Sequence, residues 1–468
     1  MTDDIALMSA SQLVPLYREG KLSPVEAVKA CLVRIEKHNA ALVAFNLVDA
    51  EHALAEARKS EERWRLGAPR GRIDGVPTAI KDILLTKDWP TLRGSHTIDP
   101  NQAWHEDAPS VARLREHGAV FIGKTTTPEY GWKGVTDSPL TGITRNPWNP
   151  AKTPGGSSGG SAVAVACGMS ALSLGTDGGG SIRIPAGFTG IYGLKPTFGR
   201  VPAYPASPFG TVAHVGPMTR TVTDAAMMMS VIAEPDVRDW YALPPADGGK
   251  AADYVAALER GVKGKRIAFS PTLGGHRVDP EIAKLVSDAV KVFAELGAHV
   301  EEADPQLPPC GAVFQAHWFT GAANLVNSLS PEQQAMLDPG LREVAADGAK
   351  YSLFDYFAAV KQREAIGLAM NRFHENYELL LTPALPLPAF DAGLEWPAGE
   401  GDERWTDWTP FSYPFNLTRQ PAASVPCGFT SAGLPAGLQI VGPLFQDGRV
   451  LRASRAYEAA RPFKMPAM

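Results

Sequence analysis

Cysteine is scarce in this 468-residue chain, which contains only Cys31, Cys167, Cys310 and Cys427. No two of them form a C-x-x-C pair, so the sequence indicates neither a disulfide framework nor a zinc knuckle. The motif His-Glu-x-x-His is also absent, and the ten histidines are scattered along the chain. Metal-assisted hydrolysis therefore has little support, and we expect no metal site.

The chain also has no excess of basic charge. Lys and Arg number 45 against 50 Asp and Glu, which gives a net charge of −5. Nucleic acid or anionic lipid would require a broad basic surface, so we expect neither as a partner. The first ten residues, MTDDIALMSA, lack the basic and apolar segments of a signal peptide, and the uncharged stretch from Thr153 to Thr176 is rich in Gly and Ser, unlike a membrane span. We expect a cytoplasmic protein with no membrane association.

Hydrophobic patterns and capping residues predict alternating helices and strands. The predicted helices cover 23–38, 50–66, 161–167, 279–296 and 450–460, and the predicted strands cover 75–80, 171–175, 266–269, 299–300, 379–382, 424–426 and 438–441. Strand, helix and strand follow one another between 266 and 300, which indicates parallel pairing and an α/β fold. Residues 383–410 lack any periodicity and are expected to form a long surface loop, which could lie over a pocket.

Two loops rich in Gly and Ser flank an apolar segment between Thr153 and Pro185. If a helix leaves the first loop and a strand returns to the second, Ser157 and Ser181 lie at the same side of the sheet. Successive glycines let backbone N–H groups converge, so Gly178, Gly179 and Gly180 are candidates for an oxyanion hole beside a serine nucleophile.

A serine nucleophile needs a base, and the residues leave more than one candidate. The run Gly155–Gly159 formally matches the G-x-S-x-G nucleophile elbow, but the residues before it do not resemble a strand. No serine is followed by a lysine three positions later, which excludes a Ser-x-x-Lys site. Lys81 follows a short apolar strand, where burial would lower its pKa enough to make it a base. A lysine at a strand end is more often solvated or paired, and Asp82 is the obvious partner.

The sequence resembles the amidase signature enzymes. The similarity is carried by motifs that span nearly the whole chain, at 75–82, 123–131, 144–149, 153–185, 190–197, 216–220 and 433–439.

This resemblance implies one α/β/α sandwich domain over residues 1–468, built around a large mixed, mostly parallel sheet. The signature core would cover about 75–220, and a variable substrate-pocket region about 300–420. The resemblance further implies a Ser–cis-Ser–Lys triad. Ser181 corresponds to the nucleophile, Ser157 to the bridging serine after a cis peptide, and Lys81 to the base. Asp177 and Arg183 would hold the shape of the nucleophile loop.

The implied activity is hydrolysis of a small or medium amide through a serine acyl-enzyme, with anilides, esters and carbamates open to the same chemistry. No organic cofactor is implied, and a homodimer is one assembly that the sequence allows. Aromatic and histidine residues outside the motifs are candidates for the substrate pocket, namely Tyr130, Trp132, Phe209, His317, Trp318 and Phe415.

The alternative is a glutaminase-type A subunit of a tRNA-dependent amidotransferase, which would work only with partner chains. Three positions depart from the forms that are common in that subunit or in the wider family. Thr126 stands where Asn is frequent, Gly178 stands where the subunit commonly has Thr, and Ile184 stands where it often has Gln. These departures favour a stand-alone hydrolase and leave the triad positions unchanged.

Overall fold

The computed structural model describes residues 5–245, 252–399 and 401–467. These ranges contain fourteen α-helices. Their bounds are α1 (Ala10–Arg18), α2 (Pro24–Leu42), α3 (Ala50–Arg65), α4 (Pro109–Glu116), α5 (Gly159–Ala166), α6 (Arg183–Thr189), α7 (Val222–Ile232), α8 (Pro280–Glu295), α9 (Gly311–Asn327), α10 (Pro331–Ala335), α11 (Pro339–Gly348), α12 (Leu353–Asn376), α13 (Pro414–Leu417) and α14 (Asp447–Ala460). No helix in the described ranges combines the length and apolar character needed to cross a membrane.

Thirteen strands are present in the same ranges. They are β1 (Phe45–Val48), β2 (Pro77–Lys81), β3 (Val120–Thr125), β4 (Asp137–Ser138), β5 (Gly142–Ile143), β6 (Leu172–Asp177), β7 (Tyr192–Lys195), β8 (His214–Thr219), β9 (Arg266–Phe269), β10 (His299–Glu302), β11 (Leu379–Pro383), β12 (Ala422–Phe429) and β13 (Pro435–Val441). Eleven of them form one sheet in the order β1-β3-β2-β6-β8-β7-β12-β13-β11-β9-β10, and β4 pairs only with β5.

The large sheet is mixed, which confirms the predicted α/β fold class. Four neighbouring pairs are parallel, in two blocks: β3-β2-β6 and β11-β9-β10. The other six pairs are antiparallel and include the whole centre of the sheet. Parallel pairing is therefore less extensive than the sequence analysis expected.

Side-chain caps mark the starts of three of the five predicted helices, α2, α3 and α8. Ser23 Oγ accepts a hydrogen bond from the backbone of α2, the Ser23 backbone N–H donates to the Glu26 carboxylate, and Pro24 occupies the first turn. Asp279 caps α8, which is the helix predicted over 279–296. The predicted strand 75–80 is β2, and it ends at Lys81, one residue later than expected.

Four helices between residues 311 and 376 were not predicted, although two of them carry capping boxes. Ser330 and Gln333 cap α10, and Ser352 and Asp355 cap α12. The apolar periodicity of α9 is weak because most of its surface is buried, so a search for amphipathic stripes does not detect it.

The segment 384–410 is not a plain surface loop, which corrects that expectation. It has no regular helix or strand in its described residues, yet Trp405 and Trp408 are only 1% and 2% exposed. Both belong to a second hydrophobic core that also contains Phe314 and Trp318 of α9. The segment therefore packs against that core through its tryptophans.

This packing predicts a large loss of stability for Trp405→Ala. Removal of a buried tryptophan costs about 3–5 kcal/mol in the free energy of unfolding. Trp240→Ala is the matched control, since Trp240 is 79% exposed and its removal should change stability by no more than about 0.5 kcal/mol. Urea unfolding followed by circular dichroism measures both; equal effects would show that the segment is a loose surface loop.

Candidate active site

The two Gly/Ser loops meet at one side of the sheet, as their pattern predicted. The first loop ends where α5 begins at Gly159, and the second joins the end of β6 to α6. The backbone N–H of Ser158 donates to the carbonyl of Ser181 over 3.1 Å. Ser157 and Ser181 line the same cavity. The Gly156–Ser157 peptide is cis.

Lys81 lies at the end of β2 and is completely buried. Its Nζ atom is 2.7 Å from Ser157 Oγ, 2.9 Å from Ser158 Oγ and 2.8 Å from Thr176 Oγ1. Thr176 is on β6, which pairs in parallel with β2. The pairing of the two strands brings Thr176 to the amine, and the loop before α5 brings Ser157 and Ser158 to it. Neither Ser158 nor Thr176 was among the predicted site residues.

The hydrogen bonds around Lys81 accommodate an uncharged amine. Ser158 Oγ donates to the Thr176 carbonyl at 3.1 Å, so Ser158 accepts from Lys81 rather than donating to it. A neutral amine has one lone pair, which leaves the hydroxyl of Ser157 or Thr176 to donate back to it. Burial lowers the pKa of Lys81 well below its ordinary value, and the negative charge of Asp177 offsets only part of this shift.

Asp82 is not the partner of Lys81, so that alternative is wrong. Its carboxylate faces Lys124 at 3.4 Å and accepts from the side chain of Asn46 and the backbone of Leu92. Successive residues at a strand end point to opposite sides, which separates Asp82 from the amine of Lys81. Burial raises the pKa of Asp82.

Asp177 and Arg183 form a buried ion pair that holds the second loop. The carboxylate accepts Arg183 Nε and Nη2, both at 2.9 Å, and the backbone N–H of Gly180 at 2.8 Å. Burial alone would raise the pKa of Asp177, but the Arg183 guanidinium keeps it well below its usual range. The guanidinium also bonds to Asn416 and Gln439, which the sequence analysis missed. The predicted shape-holding role thus has a concrete geometry.

The glycine run supplies backbone N–H donors beside Ser181, but only two of the three predicted N–H groups are free to bind an oxyanion. The N–H of Gly180 is bonded to Asp177, so Gly180 is removed from the candidate oxyanion hole. In the described part of the chain, the N–H groups of Gly178 and Gly179 have no acceptor. A Cβ at Gly178 would lie 2.6 Å from the Trp318 ring, so only glycine fits against that wall.

A cavity of about 370 Å³ opens onto Ser157 and Ser181. Three of the predicted pocket residues line it: Tyr130, Phe209 and Trp318. Phe209 and Trp318 stack face to face, with ring centroids 3.7 Å apart and an interplanar angle of 5°. The cavity therefore has a flat aromatic wall close to the serines.

The other three predicted pocket residues lie outside the lining of this cavity. Trp132 is fully buried, and its carbonyl accepts the Trp318 indole N–H at 2.9 Å. His317 faces Tyr356, away from the cavity-lining side of α9. Phe415 is fully buried in a separate hydrophobic core. Their aromatic character is explained by packing, and only Trp132 supports the pocket, through Trp318.

No group of three or more His, Cys, Asp or Glu side chains is placed to hold a metal ion within 5–245, 252–399 and 401–467. The residues that converge at the site are hydroxyl groups, one amine and backbone N–H groups, which are the donors and acceptors of acyl transfer.

Comparison with known proteins gives the family. The family model described as Amidase matches residues 26–451. The chain belongs to the amidase family. An acylamidase of Rhodococcus erythropolis is 37% identical over 469 residues, covering 98% of this chain and 97% of its own. The A subunit of the glutamyl-tRNA(Gln) amidotransferase of Myxococcus xanthus is 36% identical over 496 residues, covering 99% and 98%.

A solved structure of a bacterial aryl acylamidase belonging to the amidase signature enzymes superimposes on this amidase with a TM-score of 0.90. It is 33% identical and covers 97% of this chain and 96% of its own. The family and these relatives identify the chain as an amide hydrolase, in agreement with the prediction from its motifs.

The ion pair in this amidase predicts that Asp177→Asn is strongly destabilising. Loss of the carboxylate leaves the Arg183 guanidinium buried without a counter-charge, which costs about 3–5 kcal/mol. Because the pKa of Asp177 is lowered on folding, the stabilisation is present above the unfolded pKa of about 3.9 and is lost as the pH falls. Unfolding as a function of pH should show this loss in the native protein and not in the variant.

Asp288→Asn provides the control, because Asp288 pairs with Lys284 and Lys291 at the surface of α8. Water solvates both partners there, so unfolding should be unchanged within error. Equal stability of the two variants would contradict a structural role for the Asp177–Arg183 pair.

Proposed function

We propose that this chain hydrolyses amides through an acyl-enzyme on Ser181, with Ser157 as proton relay and Lys81 as base. One observation carries the proposal: a buried amine with a lowered pKa lies 2.7 Å from Ser157 Oγ, and Ser157 shares its cavity with Ser181. A buried lysine whose pKa is lowered in this way can serve as a proton acceptor.

The proposed reaction begins with proton transfer from Ser157 to neutral Lys81 and from Ser181 to Ser157. Ser181 Oγ attacks the amide carbonyl carbon, and negative charge develops on the carbonyl oxygen. The N–H groups of Gly178 and Gly179 are the proposed donors to that oxygen. The relay then returns a proton to the leaving amine, and a water molecule hydrolyses the ester on Ser181 by the same route. Every step uses groups of the chain itself, and we propose no cofactor.

The proposed substrate is a small or medium amide with an aromatic or apolar part. The cavity volume of about 370 Å³ suits a molecule of that size, and the Phe209–Trp318 wall suits a planar ring. The similarity to an acylamidase and to an aryl acylamidase supports the same class. Esters, anilides and carbamates fit the same acyl-enzyme chemistry.

The competing proposal is an amidotransferase A subunit, and 36% identity to one such subunit keeps it open to test. The contact between Gly178 and Trp318 favours the stand-alone enzyme. The subunit commonly carries Thr at the position of Gly178, and any Cβ there would lie 2.6 Å from the Trp318 ring. The pocket is therefore built around an aromatic wall that such a threonine would displace.

We further propose a single domain and a cytoplasmic location. One sheet includes strands from β1 at residue 45 to β13 at residue 441, which supports a single folding unit. All four cysteines are free thiols, in keeping with a reducing compartment. We also propose that the chain can form a homodimer and that it does not bind nucleic acid.

Ser181→Ala and Lys81→Met are expected to lower kcat for an anilide by at least about 10⁴-fold, because each removes a member of one catalytic unit. In the native protein, activity should fall as the pH falls through the lowered pKa of Lys81, since a protonated amine cannot accept a proton. Steady-state kinetics across pH measure both effects. The exposed residues Ser431 and Lys284 provide the controls Ser431→Ala and Lys284→Met. Full activity of Ser181→Ala would refute the nucleophile assignment.

The purified chain alone is expected to hydrolyse anilides and to leave glutamine intact. A stand-alone amidase needs no partner, and the aromatic wall offers nothing to the polar side chain of glutamine. Product release from anilides, aliphatic amides, esters, carbamates and glutamine measures this preference. Ammonia release from glutamine alone, or activity only after partner chains are added, would support the amidotransferase component instead.

A further inference from the structure

Arg93 lies on the wall of the catalytic cavity in the loop after β2, and its side chain is half-buried. Its carbonyl accepts the backbone N–H of Tyr130 at 2.7 Å. Both residues have left-handed backbone conformations, with φ values of 54° for Arg93 and 52° for Tyr130. Such conformations are unfavourable for residues with side chains and concentrate at functional sites. Here they place two large side chains on the same wall.

This wall adjoins the triad. Tyr130 precedes Gly131, and a Cβ at Gly131 would lie only 3.3 Å from Ser157 Oγ. The Tyr130 hydroxyl is bonded to Thr97 Oγ1 at 2.6 Å, so it is held by the protein. A backbone hydrogen bond therefore links Arg93 directly to the segment that contacts Ser157, the proposed relay serine.

The guanidinium of Arg93 has no acceptor and no carboxylate within bonding distance among the residues that the structure describes. The other charged residues on the cavity wall are satisfied by the protein. Arg238 forms two hydrogen bonds with Asp236, at 2.7 and 2.9 Å. Asp239 accepts the backbone N–H groups of Ala203 and Tyr241, both at 2.8 Å.

We propose that Arg93 binds a carboxylate on the substrate, so that the preferred substrates are amides with an apolar or aromatic body and one acidic group. This inference rests on the proposed function and adds a substrate class to it. The planar guanidinium offers two parallel donors to a carboxylate, and the apolar surroundings strengthen that pairing. The Phe209–Trp318 wall would bind the apolar body in the same cavity.

The test compares pairs of substrates that differ in one carboxylate. N-Succinyl-4-nitroanilide and N-butyryl-4-nitroanilide place the difference on the acyl side, and 4-acetamidobenzoate and acetanilide place it on the leaving-group side. The readout is the ratio of kcat/KM for the anionic over the neutral member. At least one pair should favour the anion in the native protein, and Arg93→Gln should lower that ratio by about 10- to 100-fold, the size expected for a lost charged hydrogen bond.

Two further variants separate charge from geometry. Arg93→Lys keeps the charge and should retain part of the preference, because it lacks the paired donors. Arg65→Gln removes an exposed arginine of α3 and should leave the ratio unchanged. An unchanged ratio in Arg93→Gln, or a native preference for the neutral member of both pairs, overturns the inference.

Binding to the Ser181→Ala protein separates this inference from the proposed activity. Dissociation constants for the same pairs are measured by calorimetry, with and without Arg93→Gln. A preference for the anion that Arg93→Gln abolishes supports the inference even if the native protein cleaves neither pair, in which case the proposed activity fails alone. Equal affinities for both members of each pair overturn the inference even if the native protein cleaves them.

Discussion

The buried ion pair of Asp177 and Arg183 links the loop that carries Ser181, the sheet and the charge state of Lys81. Asp177 bonds to the backbone of the loop that carries Ser181, while Arg183 bonds to Asn416 and to Gln439 on β13. The pair thus connects residues that are more than 200 positions apart in sequence. Its charge balance also matters, because an unpaired Asp177 would draw a proton onto Lys81. With Arg183 beside it, the carboxylate can stay ionised while the nearby amine stays neutral.

Part of the candidate site could be predicted from residue types that are rare in such settings. Serines within glycine runs indicate Ser157 and Ser181, whereas Lys81 is favoured as a base only through the resemblance to the amidase signature enzymes. The contact of Lys81 with Thr176 could not be derived from local patterns, since it depends on the pairing of β2 with β6. Ser158 was missed because the pattern singles out one serine of the Ser157–Ser158 pair, whereas both hydroxyls contact Lys81.

Only half of the predicted pocket residues line the cavity. Tyr130, Phe209 and Trp318 line the cavity, but Trp132, His317 and Phe415 do not. An aromatic residue on a helix that is buried on most sides gives no sign of which neighbour it faces, and α9 is such a helix. The sequence also gives no sign that the backbone N–H of Gly180 donates to the carboxylate of Asp177, three positions earlier in the chain.

The contact between Gly178 and Trp318 has a consequence for how relatives of this enzyme diverge. One residue belongs to the nucleophile loop and the other to a helix about 140 positions later, yet a Cβ on the first would overlap the ring of the second. Position 178 cannot change freely while Trp318 is in place: a threonine there requires the Trp318 ring to move or to be replaced by a smaller residue. Replacing Trp318 by a smaller residue before glycine at 178 is changed is therefore the order that avoids this overlap. The order of substitutions in such a lineage is constrained by sterics rather than by catalysis.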